Sequence, residues 1–389
     1  MRILGMDVGR GSIVACLLTE RPNNPRQAYH SCQFYHIENN ASGVELLRSL
    51  SPDIAVAEPT GIKYLKFWER WLLSMGCELW LISNQALAPY RKFLDLPDKD
   101  DEADSLALAC YWFDYGDNPR RFLSRRDPVV AEIRDLVMRR ISYEREVGRL
   151  VNICHQDLED EFPEISRIKS PRKILKSPPL FWRWLAGEEN QNYDELYLES
   201  YGKGLSIYTE FNSQLICLIG EHELLIENRI EQLLSLSQFE KYLAAVEDLK
   251  FGLTTQAIVI SQVYPVEKFF GSDGEPEIIS AIGKESGKRQ TYDLSLRRFR
   301  KILGVAPTRN WSGTKRSYGR GGNIMAKTAL WQWAMTRIQP QHSYPRTPIG
   351  EKLRAIYVKE KAEGKPLPKV IRKICAKAVE YFYRELLKH

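Results

Sequence analysis

"RILGMDVGRGSIVACLLTE", Arg2 to Glu20, holds two apolar runs separated by a Gly-rich turn. The first closes on Asp7-Val8-Gly9 and reads as a buried strand entering a turn. The second, from Ser12, reads as its hairpin partner. "AYHSCQFYHIE" (Ala28–Glu38) alternates and is rich in aromatics, so a third strand is expected there. "NASGVELLRSL" (Asn40–Leu50) has a polar cap and helical period. "DIAVAEPTG" (Asp53–Gly61) reads as a fourth strand, ended by Pro59 and Gly61. An amphipathic helix (Ile62–Gly76), a fifth strand (Cys77–Ser83) and another helix (Asn84–Leu94) follow.

Three consecutive strands, then strands alternating with helices, predict a mixed sheet covered on both faces. This is the ribonuclease H or RuvC-like order. From Pro128 the pattern changes. Ile133, Leu136, Tyr143, Val147, Leu150, Cys154 and Leu158 recur at helical spacing, predicting a long helix. A segment rich in Lys, Pro and Trp follows, then a second long helix at about Phe211–Leu236. The two form either an antiparallel pair within the chain or a dimerising coiled coil. Arg134, Arg139, Arg140, Arg145 and Arg149 are a solvated face or a hold on nucleic acid. Trp182 and Trp184 either stack on a base or pack the tip of the pair. The C-terminal part begins near Phe251 and ends in helices around Ile349–Glu363 and Pro368–Lys388.

"DLPDKDDEADSLALA" (Asp95–Ala109) places six acids in ten positions and then turns apolar. Such a run is ordinarily a solvated surface, and Asp98, Asp100 and Glu102 are assigned to one. Asp101 and Asp104 differ, because they are three apart and share a helix face. Asp7 and Glu58 terminate apolar strands. If those strands are parallel neighbours, both carboxylates emerge at one sheet edge. Four converging carboxylates repel unless a cation lies among them. Oxygen donors of this kind suit Mg²⁺ or Mn²⁺. Two such ions can activate a nucleophile and stabilise a leaving oxygen in phosphodiester cleavage.

The chain of 389 residues carries a net charge of +6. Between Lys284 and Lys327, twelve Lys and Arg face two acids, more than the surplus of the whole chain. That block is a candidate polyanion surface. Arg297 and Arg298 lie in its first helix. "WSGTKRSYGRGGN" (Trp311–Asn323) lies at its centre. Gly313 permits close approach of a phosphate; Lys315, Arg316 and Arg320 neutralise its charge. Asn323 is placed to cap the next helix, which carries Lys327. No histidine lies nearby, so a base triad is unsupported and metal coordination is the better activation of a serine. The plainer alternative is a loop that touches the backbone without chemistry.

The seven cysteines show no CxxC pair, and the six histidines no ligand spacing, which argues against zinc and disulfide frameworks. No signal peptide or membrane span is read, so the cytosol is the expected location.

"GMDVG", "AEPTG" and "KDDEADSLALA" resemble the Asp, Glu and K-T-D-x-x-D-A elements of the DEDD transposases of the insertion-sequence one-ten family. "LVMRRISYEREVGRLVNICHQDLEDEFPE" is similar to that family's Arg-rich helix. "LGVAPTRNWSGTKRSYGRGGN" is similar to its G-L-x-P … S-S-G-G-K-x-R … G-N segment. The motifs follow the family's order along nearly the whole chain. The resemblance implies a RuvC-like domain (1–125) holding Mg²⁺ or Mn²⁺ through Asp7, Glu58, Asp101 and Asp104. It implies a helical coiled-coil hairpin (126–248) and a mainly α C-terminal transposase domain (249–389). Ser312 would there attack a DNA phosphate and form a 5′-phosphoserine link. Implied partners are donor and target double-stranded DNA, a structured bridge RNA, and further copies of the chain, as dimers assembling to a tetramer. The implied setting is the bacterial cytosol and nucleoid.

The chain departs from the family at Trp311, where Ser is usual, and at Phe251 and Thr254, where Pro and Gly are usual in a helix-hairpin-helix. It also carries an insert at about Gly271–Gln290. The alternative function is a metal-dependent, Holliday-junction-resolvase-like endonuclease with a C-terminal DNA-binding domain. A sugar-kinase or actin-like ATPase is disfavoured, because no second phosphate loop is found. The intact acids argue against a catalytically dead nucleic-acid-binding scaffold.

Overall fold

The computed structural model describes the chain except residues 60–63, 97, 124–126, 167–176, 283–286, 288, 307, 313, 314, 320 and 389. For residue 120 and for 308–312 and 315–319 it describes the backbone alone. Two units divide the chain, Met1–Arg126 and Asp127–His389.

In the first unit the elements run β1 (Ile3–Val8), β2 (Ser12–Leu18), α1 (Pro25–Ser31), β3 (Phe34–Glu38), α2 (Ala41–Leu50), β4 (Ile54–Ala57), α3 (Tyr64–Ser74), β5 (Glu78–Leu81), α4 (Asn84–Phe93) and α5 (Asp101–Tyr115). The strands form one mixed sheet in the order β3-β2-β1-β4-β5. β1–β2 and β2–β3 are antiparallel, while β1–β4 and β4–β5 are parallel. The mixed α/β architecture matches expectation. One element does not. Residues 28–31, expected in the third strand, lie in α1. Asn24 Oδ1 accepts from the Gln27 amide at 3.0 Å, and Pro25 occupies the first turn, where a missing N–H costs nothing. That start signal outweighs the alternation, which holds only from Phe34.

Strand parity divides the side chains between two cores. Leu4, Met6, Val8, Ala55 and Ala57 pack against α2 and α3. Ile3, Ile54 and Val56 face α4 and α5. Gly5 lies on this second face, where α5 presses on the strand. A Cβ built on Gly5 would stand 1.9 Å from the Ser105 carbonyl oxygen and 2.6 Å from the Ala109 amide nitrogen. Only glycine admits that approach.

The second unit begins with α6 (Pro128–Glu161), capped by Asp127, and α7 (Pro163–Ser166). Then come α8 (Leu180–Leu185), α9 (Gln191–Leu198), α10 (Ile207–Leu234), α11 (Glu240–Val246) and α12 (Leu253–Val263). β6 (Ile278–Ile282) and β7 (Arg289–Asp293) make an exposed ribbon within the insert. α13 (Leu294–Ile302), the ribbon of β8 (Thr308–Ser312) and β9 (Lys315–Gly319), α14 (Ile324–Trp333), α15 (Pro348–Ala362) and α16 (Leu367–Leu386) complete it.

α6 and α10 run antiparallel within the chain. Glu132 pairs with Arg229 at 2.8 Å, and Glu161 at the far end of α6 accepts from the Ser206 amide at 3.1 Å. One end of this pair shares a core with α11 to α16, through Val130, Ile133, Ile230 and Leu233. The other end packs on α8. Trp182 and Trp184 are buried there, and Trp184 Nε1 donates to Asp194 at 2.8 Å. Of the two readings offered for these tryptophans, packing is the observed one. No described helix is long and apolar enough to cross a membrane.

Gly5→Ala is expected to destabilise the first unit by about 2 kcal/mol or more, since neither backbone can yield cheaply. Gly148→Ala, in α6 with open space around it, should raise stability by roughly 0.5–1 kcal/mol. Thermal denaturation of both variants checks the contrast; a harmless Gly5→Ala would refute the close approach.

Candidate functional site

Met6 pairs with Ala57 across the parallel strands, so Asp7 and Glu58 leave that pair at the same end. Parity sets their face. Asp7 follows Ile3 and Gly5, and Glu58 follows Ile54 and Val56, so both turn toward α5. α5 runs opposite to β1, with Ser105 against Gly5. Two residues along a strand and four along a helix each advance about 6–7 Å. Asp101 therefore stands level with Asp7, and Asp104 lies on the same helix face. The structure brings together the four carboxylates singled out above.

Their proximity is visible in their protonation. Burial raises the Asp7 carboxyl from its ordinary 3.8 to about 7, helped by the charge of Asp101, a hydrogen bond shared with it, and the charges of Asp104 and Glu58. Burial and then Asp104 also raise Glu58, while Lys99 and Arg91 oppose the rise. Asp101 is exposed, Asp7 and Glu58 are half-buried, and Asp104 is buried.

The rest of the acidic run has other tasks. Asp100 Oδ1 accepts from the Ala103 amide at 2.7 Å and caps α5, while Oδ2 accepts from the Tyr29 hydroxyl at 3.2 Å. Glu102 faces His36 Nε2 at 3.4 Å. Three like charges in the first turn also suit the helix dipole.

Arg91, on α4, is the residue that sequence reasoning missed. Its Nη1 donates to Asp104 Oδ1, and both residues are buried. A signal existed: Arg91 falls four residues after Leu87 and beside Tyr90, at a core position of an apolar helix face.

The donors are all carboxylate oxygens, which fit a hard divalent cation. Among the described residues, however, no three or more of His, Cys, Asp or Glu are close enough to hold a metal ion as they stand. The Asp7–Asp101 hydrogen bond and the Arg91–Asp104 pair lie within this cluster. Each satisfies a carboxylate by means other than a cation.

The C-terminal candidates lie in the second unit. Ser312 ends β8 and pairs with Lys315, which opens β9, so an extended ribbon flanks the serine rather than an open loop. Gly313 and Arg320 lie outside the described residues, as do the side chains of Ser312, Lys315 and Arg316. Asn323 Oδ1 accepts from the Ala326 amide at 2.9 Å and caps α14 as its position predicts. Its Nδ2 donates to Gln262 Oε1 at 3.1 Å.

Gly304 and Gly322, both with positive φ, let the end of α13 meet the start of α14; a Cβ on Gly304 would lie 3.0 Å from that of Lys327. Arg297 is exposed with no partner among the described residues. Arg298 is committed to the Phe269 carbonyl at 2.8 Å and to Glu277 at 2.6 Å. Arg139 is exposed, whereas Arg140 donates to Glu227 at 2.8 Å and braces α6 against α10. The cysteines are free thiols, five of them buried.

Residues 280–347 match the family described as "Transposase IS116/IS110/IS902 family". The match spans β7, α13, the Ser312 ribbon and α14, and it supports a DNA-cutting transposase of the IS110 family. No curated protein matches the chain.

The shifted Asp7 carboxyl sets a pH dependence. Unfolded chain ionises Asp7 near 3.8 and folded chain near 7, so its contribution to stability is fullest below pH 3.8 and is lost as pH rises toward 7. Without divalent cations, Asp7→Asn should melt like wild type near pH 3 and above it at pH 7.5, by roughly 4 °C for each kcal/mol recovered. A melting difference that does not change with pH would remove the basis for this reading.

Proposed function

We propose that the chain is a transposase that cuts and rejoins DNA with two catalytic parts, a RuvC-like carboxylate site and a serine. The observation that carries the reading is the convergence of Asp7, Glu58, Asp101 and Asp104 at one sheet edge, in a chain whose C-terminal part matches a transposase family. The mixed sheet, antiparallel on one side of β1 and parallel on the other, supports the RuvC-like reading. Asp7, Glu58, Asp101 and Asp104 would hold Mg²⁺ or Mn²⁺, which when bound supplies positive charge to an attacking and a leaving oxygen.

Ser312 is the proposed nucleophile. Its Oγ forms a bond to phosphorus as the P–O3′ bond breaks. The serine proton leaves, the 3′ oxygen gains one, and a 5′-phosphoserine remains. Lys315, Arg316, Arg320 and Lys327, with Gly313 and the capped start of α14 at Asn323, are the proposed phosphate contacts. Exposed Arg297 and Arg139 extend that basic surface. Arg298 and Arg140 act on it through the fold, by anchoring the insert and the long helices. A bridge RNA as guide rests on the resemblance of the motifs, and the basic residues of this unit are its proposed contacts.

Assembly of dimers into a tetramer has support in α10. Tyr208, Phe211, Leu215, Leu218, His222 and Leu225 alternate at spacings of three and four. Phe211, Leu218 and Leu225 are 57%, 51% and 63% exposed. Such a stripe fits the seam of a coiled coil with a second copy of the chain.

Incubation with its element's DNA ends and co-purified RNA should yield a covalent protein–DNA adduct, resolved on a denaturing gel. Ser312→Ala is expected to abolish the adduct and strand joining, by about 10³-fold or more. Continued joining without Ser312 would exclude it as nucleophile; cutting without any adduct in wild type would favour the resolvase-like endonuclease.

A further inference from the structure

Arg91 is buried to 6% exposure and Asp104 to 8%. Arg91 Nη1 donates to Asp104 Oδ1, while its Nε is buried without a hydrogen-bond partner among the described residues. A half-satisfied guanidinium is costly in a core, where a Met or Leu of similar reach would pack freely. α4 holds it there firmly. Leu87, Tyr90 and Leu94 around it belong to the core, and the Arg91 carbonyl accepts from the Leu94 and Leu96 amides at 3.1 and 3.2 Å. The charge of Arg91 also reaches Glu58. One fixed cation thus serves two of the four carboxylates.

We infer that Arg91 is a built-in counter-ion of the acidic cluster, a positioning residue that fills at Asp104 the charge role of a divalent cation and competes with that cation for the same carboxylate. The inference rests on the metal-centre reading above. Lys would carry the charge without the planar fork, and Gln would keep a hydrogen bond without the charge. A merely structural Arg91 would affect folding alone, whereas a counter-ion must also set cation affinity.

Mn²⁺ titration of the full-length chain by calorimetry, without DNA, reads that affinity; melting with and without Mn²⁺ reads the coupling. Arg91→Met is expected to melt lower than wild type without Mn²⁺, to bind Mn²⁺ about tenfold tighter, and to regain much of the loss at saturating Mn²⁺. Arg91→Gln should follow it in affinity and reports the same quantity if the Met variant does not fold. Arg91→Lys should stay within about twofold of wild type. Unchanged or weaker Mn²⁺ binding in the Met and Gln variants overturns the proposal while leaving the metal centre standing. Absence of Mn²⁺ binding in wild type and variants alike removes the metal centre, and the counter-ion role with it.

Discussion

A hydrogen atom on the Cα of Gly5, where any other residue carries carbon, lets α5 lie directly on β1. The Ser105 carbonyl occupies the space a side chain would take. From that contact the rest of the acidic site follows by geometry. The strand lifts Asp7 two residues beyond the contact, and the helix returns Asp101 to the same height one turn before it. β4, parallel to β1, delivers Glu58 to the same edge. Backbone packing therefore forces together groups that electrostatics would separate, and the hydrophobic cores on the two sheet faces supply the force.

Crowded carboxylates must then be neutralised. Asp7 retains its proton to about pH 7 and shares it with Asp101. Asp104 is held by Arg91, and the acids nearest the helix start are taken up by the cap and by His36. Each of these contacts offsets carboxylate repulsion with groups of the chain itself. Perturbed carboxyls in a half-buried cluster are the electrostatic mark of functional centres in general.

The second unit is built differently, around helices that meet at close range. α13 and α14 meet through two glycines of positive φ, and Arg298 ties the inserted ribbon to the Phe269 carbonyl at the foot of α13. The α6–α10 pair shares its base with that same core, so its exposed α10 seam extends from the unit that carries Ser312. The proposed nucleophile and the exposed stripe of α10 thereby belong to one body of the fold.

Patterns confined to neighbouring residues were legible in the amino-acid order alone. Strand runs, the Asn323 cap, the long helices and the acids at strand ends depend on local period and chemistry. The inward turn of Asp7 and Glu58 followed from alternation once their strands were placed in parallel. Other features depended on partners distant along the chain. α1 displaced part of an expected strand because Asn24 and Pro25 start a helix upstream of the alternating segment. Arg91 finds Asp104 only when α4 folds back on α5, and the tryptophans of α8 become core only when α6 and α10 enclose them. Sequence determined which groups were available and on which face of each element. Tertiary structure decided which charges met, because meeting depends on how closely two backbones approach, a distance set here by one missing Cβ.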